Sequence, residues 1–471
     1  MGGTTGKLTH FGIAREVTFG TAVGATAYLK YNSETLTTAI EELIEASLNN
    51  RSDEGASYEG LNTHAGDSVH EVHPAGIGYL LRSALGSPLT VDNTGSYTHT
   101  YTPIAGRNAD SGTATAGTST TLTDSGATWT IDDHIGDWLH ITAGTNSGEY
   151  RIISDNTATV ITVASAFTSP IDATSVYEIT PGPEHCALPP YTIEVHRDLT
   201  GSTPAFQYAG GVINTLSLTL GVGAKILTAT SSWLAKSVAN IAATTPSLPT
   251  TDPFMWDDAI LGVGLAVGDT ATGGSSTTIV KTAAGWTANA YQNMIVLTTG
   301  GTGPNQCRKI SSNTTDTLTC TPAFTVAPAS GTTFKVFNAH NLTETITFNW
   351  TNGLIAVPLL NNTNTIAQID RDAFRSGTIS RTVIPQQITD FGTYYTGWTT
   401  REWCLYFHGA QITGNHYYDL VFYFPKVLFT AYPVNVGGGG RITVADGLKI
   451  KYDSTAGYFM KCILQNNTSS Y

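Results

Sequence analysis

The chain has 471 residues, 13% of them charged and 41% hydrophobic, with 48 glycines and a formal net charge of −13. That length allows roughly three to four domains. The acidic balance and scattered basic residues exclude a surface built to grip phosphates, although a passive wall past which nucleic acid slides is compatible with them. Low charge with abundant Gly and Thr suits short strands, tight turns and hydroxyl-bearing strand faces, so a mainly β chain is expected.

Met1 leads into a Gly/Thr segment and not into a basic and then apolar run, so no signal peptide is expected. The first long element, SETLTTAIEELIEASLNN (33–50), carries Glu41, Glu42 and Glu45. Strand alternation puts Glu41 and Glu45 on one face and Glu42 on the other. A polar loop from Arg51 to Gly66 leads to a strand ending at Val72, and after Pro74 the apolar spacing of IGYLLRSALG (77–86) predicts a short helix closed by Gly86. His70 and His73, in HEVH, have the wrong spacing for a helical two-histidine zinc motif and face opposite sides of a strand, so no metal site or other cofactor is expected.

Residues 113–180 then align without a gap on residues 270–337, pairing Trp129 with Trp286, Arg151 with Arg308 and Phe167 with Phe324; about a third of the pairs are identical. Internal duplication of this kind belongs to architectures that assemble as rings or arrays. Each copy alternates in strand fashion (DWLHITA, YRIIS, TVITVA, VYEIT in the first) between turn clusters, which predicts a compact β module centred on Trp129 or Trp286. Asp124, Asp132, Asp133 and Asp137 could suggest a glycosidase pair, but the second copy has Lys281 and Met294 opposite Asp124 and Asp137, which argues against shared catalysis. No enzyme is expected.

A fainter repeat runs around the modules. Gly66, Val72, Pro74 and Ile77 align with Gly377, Val383, Pro385 and Ile388, and Gly221, Gly223, Lys225 and Ile226 with Gly437, Gly439, Arg441 and Ile442. GVGAK (221–225) and GGGGR (437–441) lack the Ser or Thr and the strand-to-helix context of phosphate loops and read as hairpin tips. ITDFGTYY (388–395) predicts a second helix. The most apolar stretch, 417–434, is interrupted by Asp419, Pro425, Lys426 and Pro433; it reads as two buried strands around a bend and not as a membrane span. Five cysteines argue against a disulfide framework, with Cys307 and Cys320 the one pair that could face each other across a hairpin.

The expected division is a discontinuous first domain (1–111 and 181–245), a β module inserted at 112–180, a second domain (246–267 and 338–471) and a second module at 268–337. The opening GKLTHFGIAREVTFGTAVGATAYL (6–29), SETL (33–36) and EVHPAGIGYLLRSALG (71–86) resemble tail tube proteins of long-tailed bacteriophages. That resemblance implies two tandem tube domains of β-sandwich or barrel type with short helices. It further implies a virion structural protein, assembled in the host cytoplasm into stacked trimeric, pseudo-sixfold rings around duplex DNA, and working with tape-measure and tail-terminator proteins. On the same resemblance, Glu41 and Glu45 would line an acidic lumen. Arg51, Asp53, Glu54, Tyr58 and Glu59, with Asp370, Arg371, Asp372, Phe374 and Arg375, form matched loops whose mixed charges and aromatics suit ring stacking. The modules would project outward, with host surface glycans as one partner; the alternative reading is a tail fibre or carbohydrate-binding adhesin.

Overall fold

The computed structural model describes the chain except residues 1–5, 47–52, 104–109, 130, 132–133, 135–136, 181–187, 203, 224, 360–362, 386–388 and 437–439. Among the described residues the fold is mainly β, as the composition requires, with an α-helix at Ile77–Leu85 and a short wide helical segment at Asp390–Thr396. Gly86 closes the first helix, donating its N–H to the Arg82 carbonyl at 3.0 Å with φ 99°, a value glycine tolerates without strain.

One antiparallel sheet organises the molecule. Its strands run, side by side, Thr37–Ile44, Ser57–Glu71, Thr228–Ala235, Ala205–Gly221, Thr343–Thr351, Ser376–Val383, Val444–Ile450 and the C-terminal half of His416–Ala431. The faint sequence repeat is visible as register. Gly66 lies between Trp233 and the Leu36 strand position, and Gly377 lies between Ile450 and Trp350. A Cβ on Gly66 would come within 2.6 Å of the Leu36 backbone, so the close approach requires glycine there. Buried Ala229, Ser231 and Trp233 match buried Asp446, Leu448 and Ile450. That correspondence is one residue longer than the alignment of the preceding hairpin tips, because a one-residue slip would turn every side chain to the wrong face.

The stretch 417–434 forms one strand, His416–Ala431, where two were expected. Pro425, which has no N–H to donate, stands where the strand changes neighbours: Asp419–Tyr423 pair with Lys461–Gln465, and Val427–Ala431 pair with Gly447–Ile450. The ladder to Arg401–Thr413 crosses the bend, so the strand is not divided. Gly210, at φ +68°, marks the corresponding handover in Ala205–Gly221, from Ser237–Ile241 to Thr345–Thr351.

The two repeat copies have separate but equivalent cores. Ala114, Leu122, Trp129, Leu139, Ile153, Ile161, Val163, Phe167, Tyr177 and Ile179 are buried together, and so are their aligned counterparts Ala271, Ile279, Trp286, Val296, Ile310, Leu318, Cys320, Phe324, Phe334 and Val336. Arg151 and Arg308 both reach back over the aligned phenylalanine, at 4.9 and 5.8 Å, and both donate Nε–H to an alanine carbonyl at 2.9 Å. Their settings differ. The first copy forms a separate seven-stranded sheet, whereas strands of the second join the large sheet through Ala259–Thr270. Cys307 and Cys320 are both free, and they belong to different buried clusters on opposite faces of their sheet.

The histidines of HEVH are buried acceptors and donors within the fold. His70 donates Nδ1–H to the Lys30 carbonyl at 3.0 Å, while Ser68, which accepts the Trp233 indole N–H at 2.8 Å, stands 2.9 Å from His70 Nε2. His73 Nδ1 lies 2.6 Å from the Thr251 carbonyl. Burial disfavours the His70 imidazolium and brings its pKa to about 4. A folded value below the unfolded one means that unfolding takes up a proton. The contribution is therefore complete above pH 6.5 and is lost as pH falls towards 4. Denaturant titrations at pH 7 and pH 4.5 are expected to differ by up to about 3 kcal/mol from this group. His70→Gln should flatten that slope, and an unchanged slope would remove His70 from the account.

Candidate subunit interfaces and channel face

The outward face of the large sheet is a hydroxyl wall. Strand alternation turns Leu216, Leu218, Phe348, Trp350, Ile379 and Trp233 into the core and leaves every second residue outside. Across five strands those outside residues align as Asp67, Ser232, Thr215, Thr351 and Ser376, then as Val69, Thr230, Ser217, Asn349 and Thr378, then as Glu71, Thr228, Thr219, Thr347 and Ser380. Charges on this face stand at its flanks, at Asp67 and Glu71 on one side and Lys449 opposite Thr378 on the other. The alternating threonines of TLSLTLG, TITFNWT and SGTISRTV carry this pattern in the sequence.

At the two flanks of the wall, Ser33–Glu34 pairs with Ser68–Val69 and Leu428–Ala431 pairs with Gly447–Lys449, and among the described residues neither has a ladder neighbour on its other side. At the base of the first edge, side chains satisfy the backbone of Leu36. Glu34 accepts its N–H at 2.9 Å and the Tyr208 hydroxyl donates to its carbonyl at 3.0 Å, while the Arg197 guanidinium holds Glu34 at 2.8 Å through two nitrogens. Beyond Leu36 the hairpin Thr37–Ile44/Ser57–Leu61 extends as an arm, with Ile40, Leu43, Ile44 and Tyr58 between 47% and 61% exposed.

The loop residues singled out from the sequence gather at this end of the wall. Arg51 lies outside the described residues. Asp53, Glu54, Tyr58 and Glu59 are exposed, and Glu59 accepts from the side-chain amides of Asn62 and Asn364, each at 2.7 Å. Asn62 also donates its N–H to the Asn364 carbonyl at 2.6 Å, so the two loops meet. Below them Leu354, Ile366 and Ile369 pack with Leu188 and Val212. Asp370 accepts from Gln368 at 2.6 Å, Arg371 donates to the Asn352 carbonyl, and Asp372 is exposed. Burial and neighbouring Arg371 bring the Arg375 pKa down to about 10. Phe374 is 97% exposed, with no apolar cover from its own chain. Glu41 accepts the Leu61 N–H at 3.1 Å, Glu42 accepts from Ser57 at 2.5 Å, and the Glu45 N–H donates to Ala56 at 2.9 Å. A register shift between Ile40 and Glu42 interrupts simple alternation in this arm.

The opposite end of the wall holds a half-open apolar groove of about 240 Å3, lined by Leu220, Val222, Trp256, Leu261, Ile346 and Leu405 among others. The strand Thr343–Thr351 starts at the groove and ends at Thr351, beside Ser376 and two residues from Phe374.

A family model described as phage tail tube protein matches residues 6–283. The chain belongs to the phage tail tube protein family. It is thus a structural component of a phage tail tube, and the match covers the first repeat copy as well as the segments that resemble the family. Among curated proteins no match is found. Among the described residues no group of three or more His, Cys, Asp or Glu is arranged to hold a metal ion.

Proposed function

We propose that three copies close edge to edge into a ring of six tube units around a channel, two units per chain, with the repeat copies as appended modules. The observation that carries this reading is the junction inside the chain. Thr215–Gly221, from the first half of the repeat, pairs in register with Thr345–Thr351, from the second half. The corresponding edges are Leu428–Ala431 at one side of the sheet and Ser33–Thr37 at the other. Pairing between successive copies repeats the internal junction and removes the exposed edges. The hydroxyl wall then lines the channel, giving passing duplex DNA hydrogen-bonding partners but few cations to release counterions against.

Rings stack head to tail in this reading. The exposed Phe374 at one end enters the apolar groove at the other end of the next ring, a heterologous contact that does not close and therefore builds a tube. Glu41 and Glu45 stand on the arm that reaches the neighbouring ring, where they contribute acidic charge at the ring boundary. Tape-measure and terminator proteins would cap this stack at its two ends.

Cryo-electron microscopy of the purified chain at high concentration tests the proposal. Hollow tubes with three-fold rings are expected; sixfold rings of one chain per unit, or compact particles without a channel, would overturn it. A second test probes the wall. Thr347→Lys places a ring of cations in the channel, and DNA release from virions carrying it is expected to slow at least tenfold at low salt and recover as salt is raised. Release at the wild-type rate at every ionic strength would exclude Thr347 from the channel surface.

A further inference from the structure

The two repeat copies have equivalent cores but present different outer sheet faces. In the second copy Ile295, Leu297, Cys307 and Phe337 are buried against Cys404, Tyr406, Val421, Tyr423 and Ile463, and Lys335 on the same face meets Glu402 at 2.7 Å. The aligned face of the first copy carries Trp138, His140 and Tyr150, with Glu178 where Lys335 stands. His140 lies between Tyr150 and Glu178 in the sheet, and Ser111 continues the row beyond Glu178. The rings are organised: His140 stacks on Tyr150 at 3.9 Å and 5°, and Trp138 stands edge-on to Tyr150 at 6.3 Å and 90°. Tyr150 is 51% exposed.

The seat that the second copy uses has a counterpart in the first half of the chain, and it is filled. Thr192, Glu194 and Gln207 hold the sheet positions of Cys404, Tyr406 and Val421. The chain itself covers them. The Val23 N–H donates to Thr192, Gln207 donates to the Val23 carbonyl, and Thr244 donates to Glu194. The first copy cannot dock there, and its aromatic face is left for something outside the chain.

We propose that Trp138, His140 and Tyr150 form a carbohydrate platform that takes a pyranose ring of a bacterial surface polysaccharide. A sugar's C–H face stacks on flat aromatic rings while its hydroxyls need a few fixed polar partners, here the Glu178 carboxylate, the His140 imidazole and the Ser111 hydroxyl. A protein partner fits less well. Trp138 and Tyr150 bury about 300–500 Å2 when fully covered, and they are only partly open, short of the roughly 800 Å2 per partner of a specific protein interface. The inference does not rest on ring closure, since the platform lies wholly within the first copy.

The test is binding of the full-length chain to an array of purified bacterial cell-wall polysaccharides and simple glucosides, galactosides and N-acetylglucosaminides. Retention on at least one sugar is expected, with a loss of at least tenfold for Tyr150→Ala and near-wild-type retention for Tyr150→Phe and for Trp398→Ala, an exposed tryptophan elsewhere. Because Trp138→Ala could perturb the sheet, the Tyr150 pair decides. No retention on any sugar, or retention indifferent to Tyr150→Ala, would overturn the platform. Capture of a protein in place of a sugar by the same face would also overturn it.

Discussion

Asp419→Ala is expected to destabilise the chain by about 3–5 kcal/mol, because it strands a buried guanidinium. Arg308 is 0% exposed and its Nη1 lies 2.8 Å from Asp419 Oδ2; the Tyr406 hydroxyl at 3.1 Å and His408 Nδ1 at 2.9 Å complete the carboxylate's shell. Burial alone would raise the Asp419 pKa, but Arg308, His408 and Tyr406 outweigh it and hold the carboxyl below its ordinary value. The aligned Arg151 provides the control within the same molecule. It stacks on Phe167 in the same way but pairs at the surface with Glu149, both side chains partly open to solvent, so Arg151→Ala is expected to cost less than about 1 kcal/mol. Fluorescence-detected urea unfolding of both variants measures the contrast. Similar costs for the two would mean that Asp419 does not hold the second copy to the large sheet. The double replacement Arg308→Met/Asp419→Leu should restore much of the loss, since it removes both desolvated charges together.

Phe374→Asp is expected to abolish tube growth while leaving rings intact. A phenylalanine moved from full exposure into an apolar groove contributes about 1.5–3 kcal/mol, or roughly 10- to 150-fold in association for each contact. Every ring would make this contact several times, so the loss compounds. Phe374→Leu, which keeps an apolar knob, should assemble at moderately higher concentration, and Val222→Asp at the exposed rim of the groove should behave like Phe374→Asp. Sedimentation of assembled material against total concentration reads the shift directly. Assembly of Phe374→Asp at the wild-type concentration would remove this residue from the stacking contact, without bearing on how rings close.

Much of the β architecture was legible because strand periodicity and glycine placement are local properties. Trp129 and Trp286, Phe167 and Phe324, and Arg151 and Arg308 align in the sequence, and each pair occupies the equivalent position in or over its own copy's core. Gly66 and Gly377 likewise align, because each must sit under a neighbouring backbone or large side chain. The helix at Ile77–Leu85 followed from its apolar spacing and from Gly86. The stretch around Pro425 was read as two strands because proline breaks a ladder; only the neighbours on its other side keep it one.

The interfaces were less legible, for a physical reason. A hydroxyl wall exists only when five strands from distant parts of the chain come into register, and no single stretch carries more than three or four of its residues. Phe374 was one name among ten loop residues until the fold left it uncovered. The sequence by itself determined the family, the mainly β fold and the duplicated cores, since these depend on residue order within each strand. Tertiary structure alone decided that one copy docks through Arg308 and Asp419 while the other turns Trp138, His140 and Tyr150 outward. That choice depends on which neighbouring surface is already occupied, and residues 16–25 occupy it in the first half of the chain.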